Sequence, residues 1–184
     1  GQILRFIPFK EGYKVFSADK ACYVHTQKDR TLIECEDGDY FYNFFDLGRD
    51  YAAIIEKANS FGVPLLTRGA TLGAGLRLLN QSAEEMIYSF IISQNNNIPR
   101  IKGIIERICE KLGEEREFMG EKFYAFPSSA ALAAQGAPFY KQLGAGYRDN
   151  YLAATSARIA AEGIEMLYPL PTPQLKKQLT TYTG

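Results

Sequence analysis

The spacing of apolar positions changes period partway along this chain. Up to about residue 35, short runs rich in aromatic and β-branched residues cover 3–9, 13–17, 22–26 and 31–35, with turn signals at Glu11-Gly12 and Lys28-Asp29-Arg30 between them. That pattern predicts the strands of an antiparallel meander. The aromatic stretch 40–45 suits a strand or a short helix. From Tyr51 onward the apolar residues recur every three or four positions: Ala52, Ile55 and Ala58, then Met86, Ile87, Phe90 and Ile91, then Ile101, Ile104, Ile105, Ile108 and Leu112. This is helical spacing, and with cap and breaker signals it predicts helices over 84–93, 99–112, 128–134, 148–161 and 173–182. The expected fold class is therefore α+β, an antiparallel β-sheet followed by an all-helical bundle. The boundary is expected near residue 46, giving a β-rich part at 1–46 and a helical domain at 47–184. No repeat or low-complexity segment interrupts either part.

Two connections between helices have unusual chemistry. The first is Gln94-Asn95-Asn96-Asn97-Ile98-Pro99-Arg100, where three consecutive carboxamides occupy a link that a plain turn would make with one. Each carboxamide carries donors and an acceptor on a short stem, suited to the edge of a nucleobase, and Arg100 adds a planar fork of donors. Asparagine is also a helix cap, and Pro99 fits a first helical turn, so the same residues also make an ordinary helical hairpin. The second connection is Leu143-Gly144-Ala145-Gly146-Tyr147-Arg148. It reads either as a helix stop with Tyr147 packing beside Tyr151, or as an aromatic and a cation presented together on a turn. It lacks the preceding strand and third glycine of a dinucleotide site.

Composition narrows the classes. The 184 residues are 46% hydrophobic, enough for a real core, and no apolar run reaches bilayer length. No secretory leader pattern precedes the first strand, so the expected location is intracellular, cytoplasm or nucleoid in a bacterium and nucleus in a eukaryote. Three cysteines at wide spacing and a single histidine support neither a disulfide framework nor a zinc site. Lys and Arg number 21 and Asp and Glu number 21, which excludes an indiscriminate polyanion binder but leaves room for a local basic face. Arg100, Lys102, Arg107, Arg148 and Arg158 fall near the two connections, while Glu114, Glu115, Glu117 and Glu121 form an acidic patch elsewhere.

The series from Leu78-Leu79-Asn80-Gln81 through the triple asparagine, then Phe126-Pro127-Ser128 and Gly146-Tyr147-Arg148, resembles the 8-oxoguanine DNA glycosylases of the helix-hairpin-helix superfamily. The resemblance extends to both ends, where Gly1-Gln2-Ile3-Leu4-Arg5-Phe6 is similar to the family's early strand and 179–184 to the opening of its hairpin. It implies base-excision repair, with 8-oxoguanine opposite cytosine flipped out of duplex DNA and excised, and with abasic-site lyase activity in the intact protein. By resemblance, Asn95, Arg100 and Arg148 hold the orphaned cytosine, Tyr147 is the wedge that enters the base stack, Gly1 reads the lesion through its backbone carbonyl, and Gly184 donates to phosphate. The family's nucleophilic lysine and assisting aspartate correspond to positions beyond Gly184, so the resemblance places no catalytic residue within this chain. Lys176 and Lys177 precede the hairpin and are not promoted to that role. Tyr182-Thr183-Gly184 departs from the usual Leu-Pro-Gly. No cofactor is implied, a hairpin metal is left open, and the expected partner of the monomer is lesion-bearing duplex DNA. The competing readings are an alkylated-base glycosylase of the same superfamily, a non-catalytic damage-binding module, and a helical interaction domain with no nucleic-acid role.

Overall fold

The computed structural model describes residues 3–183, which group into two compact units, 3–34 with 81–183 and, separately, 35–80. The boundary expected at residue 46 falls inside the second unit. Strands β1 (Phe6–Phe9), β2 (Gly12–Ser17), β3 (Lys20–Gln27) and β4 (Arg30–Cys35), all in the first unit but for Cys35, form a sheet in sequence order. The expected meander is present, with β1 starting at Phe6. The strands are joined by tight two-residue links, among them Lys10-Glu11 and Ala18-Asp19, and Lys10, Ala18 and Lys28 each take a positive φ. Such left-handed residues match the natural twist of paired strands. Gly12 is needed for close approach, since a Cβ there would lie 2.1 Å from the Val24 carbonyl oxygen.

Residues 35–80 hold α1 (Gly38–Phe44), α2 (Tyr51–Ser60) and α3 (Pro64–Leu72). The aromatic stretch at 40–45 is thus helical. Asp37 caps α1 by accepting from the Tyr40 amide, and the Phe41, Phe44 and Phe45 rings pack against one another. Asn80 closes this unit by donating to the Phe44 and Asn43 carbonyls at 2.9 and 2.8 Å.

The remaining helices belong to the first unit: α4 (Ala83–Ser93), α5 (Ile98–Leu112), α6 (Ser129–Ala133), α7 (Ala137–Gln142), α8 (Asp149–Glu162) and α9 (Thr172–Leu179). The apolar stripe of α5, Ile101, Ile104, Ile105, Ile108 and Cys109, is fully buried against Tyr88, Ile92, Leu132, Tyr140 and Leu152. Burial pushes the Cys109 thiol up to about 12, so it stays protonated and inert as a nucleophile.

Between α5 and α6 the structure adds a hairpin absent from the sequence reading, β5 (Glu115–Phe118) and β6 (Glu121–Tyr124). Its turn residues Met119 and Gly120 both take positive φ, 50° and 74°. Phe123 stacks on Phe16 of β2 with ring centroids 5.0 Å apart. The buried Lys14 reaches across to the Phe118 carbonyl at 3.1 Å and Glu121 at 2.9 Å. The supposed acidic patch is therefore largely neutralised, Glu114 by Arg116, Glu115 by Lys122 and Glu121 by Lys14.

Candidate nucleic-acid interface

The site grows from the ends of two helices. α4 stops at Gln94, and Asn95 turns the chain with φ of 44°, a left-handed conformation that asparagine tolerates better than most side chains. The next two asparagines are committed to the backbone. Asn96 donates to the Ile92 carbonyl at 2.9 Å and accepts from the Asn97 amide, while the Asn97 carboxamide caps α5 by accepting from the Arg100 amide at 3.1 Å. These two satisfy groups that a helix end leaves orphaned. The Asn95 carboxamide is exposed and has no hydrogen-bond partner among the described residues. The ordinary and the functional readings of the triple asparagine therefore fall on different residues.

The second turn follows α7. Gly144 and Gly146 take φ of 88° and 64°, reversing the chain, and a single 3-10 turn over Gly146–Arg148 leads into α8. Arg148 is buried, and its guanidinium donates through Nε to the Gln94 carbonyl at 2.8 Å and through Nη2 to the Asn95 carbonyl at 2.9 Å, with Nη2 also on Gln94. A third donor, Nη1, reaches the Ala145 carbonyl at 3.1 Å. Arg100 extends from α5 to the Gly144 carbonyl at 3.0 Å. A Cβ added to Gly146 would lie 3.6 Å from the Arg100 guanidinium and 3.8 Å from that of Arg148, so both cations converge on this glycine.

Tyr147 combines both sequence readings. Its ring meets Tyr151 edge to face at 6.0 Å and lies over the Arg148 guanidinium at 4.3 Å, yet 53% of the residue is exposed. Its hydroxyl donates to the Gln94 carbonyl at 3.3 Å. Asn95, Arg100, Tyr147 and Arg148, 53 positions apart at the extremes, thus meet at two touching turns, with Arg148 buried and the other three exposed.

Sequence reasoning singled out Arg107 only as one of several nearby cations. It makes two hydrogen bonds to the Leu143 carbonyl, through Nε at 3.0 Å and Nη2 at 2.8 Å. The available signal was its spacing, seven residues after Arg100 and hence on the same face of α5 two turns later. Arg100, Arg107 and Arg148 all rest on carbonyls, and none is ion-paired among the described residues, unlike Arg5, Lys14, Arg116, Lys122 and Arg158. A neutral chain therefore keeps a local concentration of unneutralised positive charge at these turns.

At the other end of α8, Arg158 donates to the Thr181 carbonyl at 2.9 Å and lies over the Tyr182 ring at 4.2 Å, pinning the start of the supposed hairpin. Lys176 and Lys177 are exposed on α9. Gly1 and Gly184 lie outside the described residues, as does any geometry for their expected roles. No group of metal-ligating side chains and no helix long and apolar enough to cross a membrane occurs among the described residues.

No family model matches the chain. It is 32% identical over 93 residues to the N-glycosylase/DNA lyase of Saccharomyces cerevisiae, a stretch covering 50% of this chain and 25% of the yeast protein. Among solved structures, the Clostridium acetobutylicum 8-oxoguanine glycosylase/lyase bound to DNA with cytosine opposite 8-oxoG is 30% identical, with a TM-score of 0.91. The match covers 100% of this chain and 65% of that one. Its apo-form gives the same identity and TM-score, with 67% of that chain covered. The fold alone is also shared with the 3-methyladenine DNA glycosylase of Archaeoglobus fulgidus, at 18% identity and a TM-score of 0.76. The fold is thus one found in DNA glycosylases. By its likeness along its whole length to the Clostridium enzyme, the chain belongs to the 8-oxoguanine glycosylase/lyase family. It spans about two thirds of the solved relatives and about a quarter of the yeast protein.

Proposed function

We propose that this chain is the damage-reading portion of a base-excision repair enzyme. In this reading the intact protein flips 8-oxoguanine out of duplex DNA, excises it opposite cytosine and cleaves the abasic product by β-elimination. The observation that carries the reading is the convergence of Asn95, Arg100, Arg148 and Tyr147 on two touching turns. Flipping a base leaves its partner orphaned and a gap in the stack. Cytosine then offers a carbonyl oxygen and a ring nitrogen as acceptors beside an amine donor. Arginine forks supply donors, and the free Asn95 carboxamide supplies either role. Tyr147, half-exposed and braced by Arg148 and Tyr151, has the shape of a wedge. Stacking of such a ring on a base is worth about 1–3 kcal/mol, which offsets part of the unstacking cost.

Within the reading, Gly1 recognises the lesion base, Gly184 holds phosphate, and the protein acts on DNA inside the cell as a monomer. Borohydride trapping of the intact protein on a duplex with 8-oxoguanine opposite cytosine tests it, because a lysine that attacks the sugar forms a reducible Schiff base. A covalent adduct is the expected result. Binding to the lesion duplex without any adduct would favour a damage-sensing module, and an adduct only with alkylated bases would favour the rival glycosylase.

A further inference from the structure

The link between α7 and α8 presents three successive carbonyls, those of Leu143, Gly144 and Ala145, and each receives a different arginine. Arg107 takes Leu143, Arg100 takes Gly144 and Arg148 takes Ala145. Carbonyls at a helix C-terminus have no intrahelical partner, and cationic side chains are apt groups to satisfy them. The three contacts differ in what DNA binding would do to them. In the proposed function Arg100 and Arg148 give donors to an orphaned cytosine, so their protein carbonyls and the base compete for the same N–H groups. Arg107 has no such second duty. Its Nε and Nη2 both close on one oxygen, at 3.0 and 2.8 Å, a forked contact that fixes direction as well as distance. The fit is close, since a Cβ added to Gly144 would come within 3.2 Å of Arg107 Nη2.

We propose that Arg107 is the positioning residue that holds the Leu143–Tyr147 turn in place while Arg100 and Arg148 exchange protein carbonyls for the acceptors of the opposing base. This rests on the proposed function and deepens it. Arg107 acts through the turn and touches no nucleotide. Without it, Tyr147 and Arg148 stand on a backbone free to shift, Arg100 loses its fixed acceptor on Gly144, and cytosine loses its advantage over other opposing bases.

The test measures affinities of the intact protein, and of its Arg107→Met and Arg107→Lys variants, for three duplexes: 8-oxoguanine opposite cytosine, 8-oxoguanine opposite adenine, and undamaged. Removing a charge-assisted contact of this kind is expected to lower the cytosine-over-adenine preference about tenfold in the Met variant. The Lys variant, which keeps the charge but loses the fork, falls between in preference and keeps its affinity for undamaged duplex. A merely structural role would lower the melting temperature and all three affinities by one common factor, and that result overturns the proposal. Should the Met variant fail to fold, the Lys variant alone decides, by the same ratio. Preference retained in the variants sinks the Arg107 inference and leaves the proposed function standing, whereas no preference in the unsubstituted protein sinks both.

Discussion

Asn96 and Asn97 spend their carboxamides on the backbone of the turn, whereas the Asn95 carboxamide beside them is exposed, so neighbouring substitutions separate stability from reading. Asn97→Ala removes the α5 cap and is expected to cost about 1 kcal/mol in denaturant unfolding. Asn95→Gly keeps the left-handed turn and removes no hydrogen bond among the described residues, and is expected to leave the denaturation midpoint in place while weakening lesion-duplex binding. A midpoint that moves with Asn95 and not with Asn97 would reverse these roles. Arg148→Ala is expected to do both: it strips donors from the carbonyls of Gln94, Asn95 and Ala145, a loss of about 1–3 kcal/mol, and also removes a proposed base-reading cation. The sequence pointed to both turns through residue type, but carboxamides next to one another look alike in a sequence. Only the φ of 44° at Asn95 and the direction of each side chain separate the cap from the proposed reader.

Elements with a clean period were legible. The α5 stripe from Ile101 to Ile108 was read position by position, because one helical face is fully buried and nothing else competes for it. The β5–β6 hairpin was not legible: each strand has a single buried residue, Phe118 or Phe123, among charged neighbours, and its turn is Met119-Gly120 in place of an Asn-Gly signal. What holds it is tertiary, the Phe16–Phe123 stack and the buried Lys14. Lys14→Ala is therefore expected to cost about 1–3 kcal/mol by leaving the Phe118 carbonyl unpaired. Hydrogen exchange should show lost protection concentrated at 115–124. Protection lost evenly across β1–β3 instead would mean that Lys14 supports the sheet and not the hairpin.

At the scale of the whole molecule, two populations of charge stand out among the described residues. Those joining the sheet to the helices are paired: Arg5 donates to the Tyr124 carbonyl and faces Glu85 and Glu106, and Glu85 also accepts from the Ala18 amide at 2.9 Å. Burial outweighs these partners and raises the pKa of Glu85 above the ordinary glutamate range. A carboxyl that binds its proton more tightly when folded contributes stability below its unfolded pKa and loses it as pH rises through the folded value. Glu85→Gln, which keeps an acceptor for the Ala18 amide, is accordingly expected to flatten the fall in Tm over that interval; an unchanged Tm-against-pH profile would count against it. Arg100 and Arg148 at the two turns form the other population, satisfied by carbonyls and left without carboxylates, which leaves them for the proposed contact with DNA. In the proposed function these turns read the base opposite the lesion. Its most direct test is the affinity of the intact protein for 8-oxoguanine duplexes that differ only in the opposing base. A clear preference for cytosine, lost in Asn95→Gly, is the expected result, and equal affinity for all four opposing bases would contradict the account.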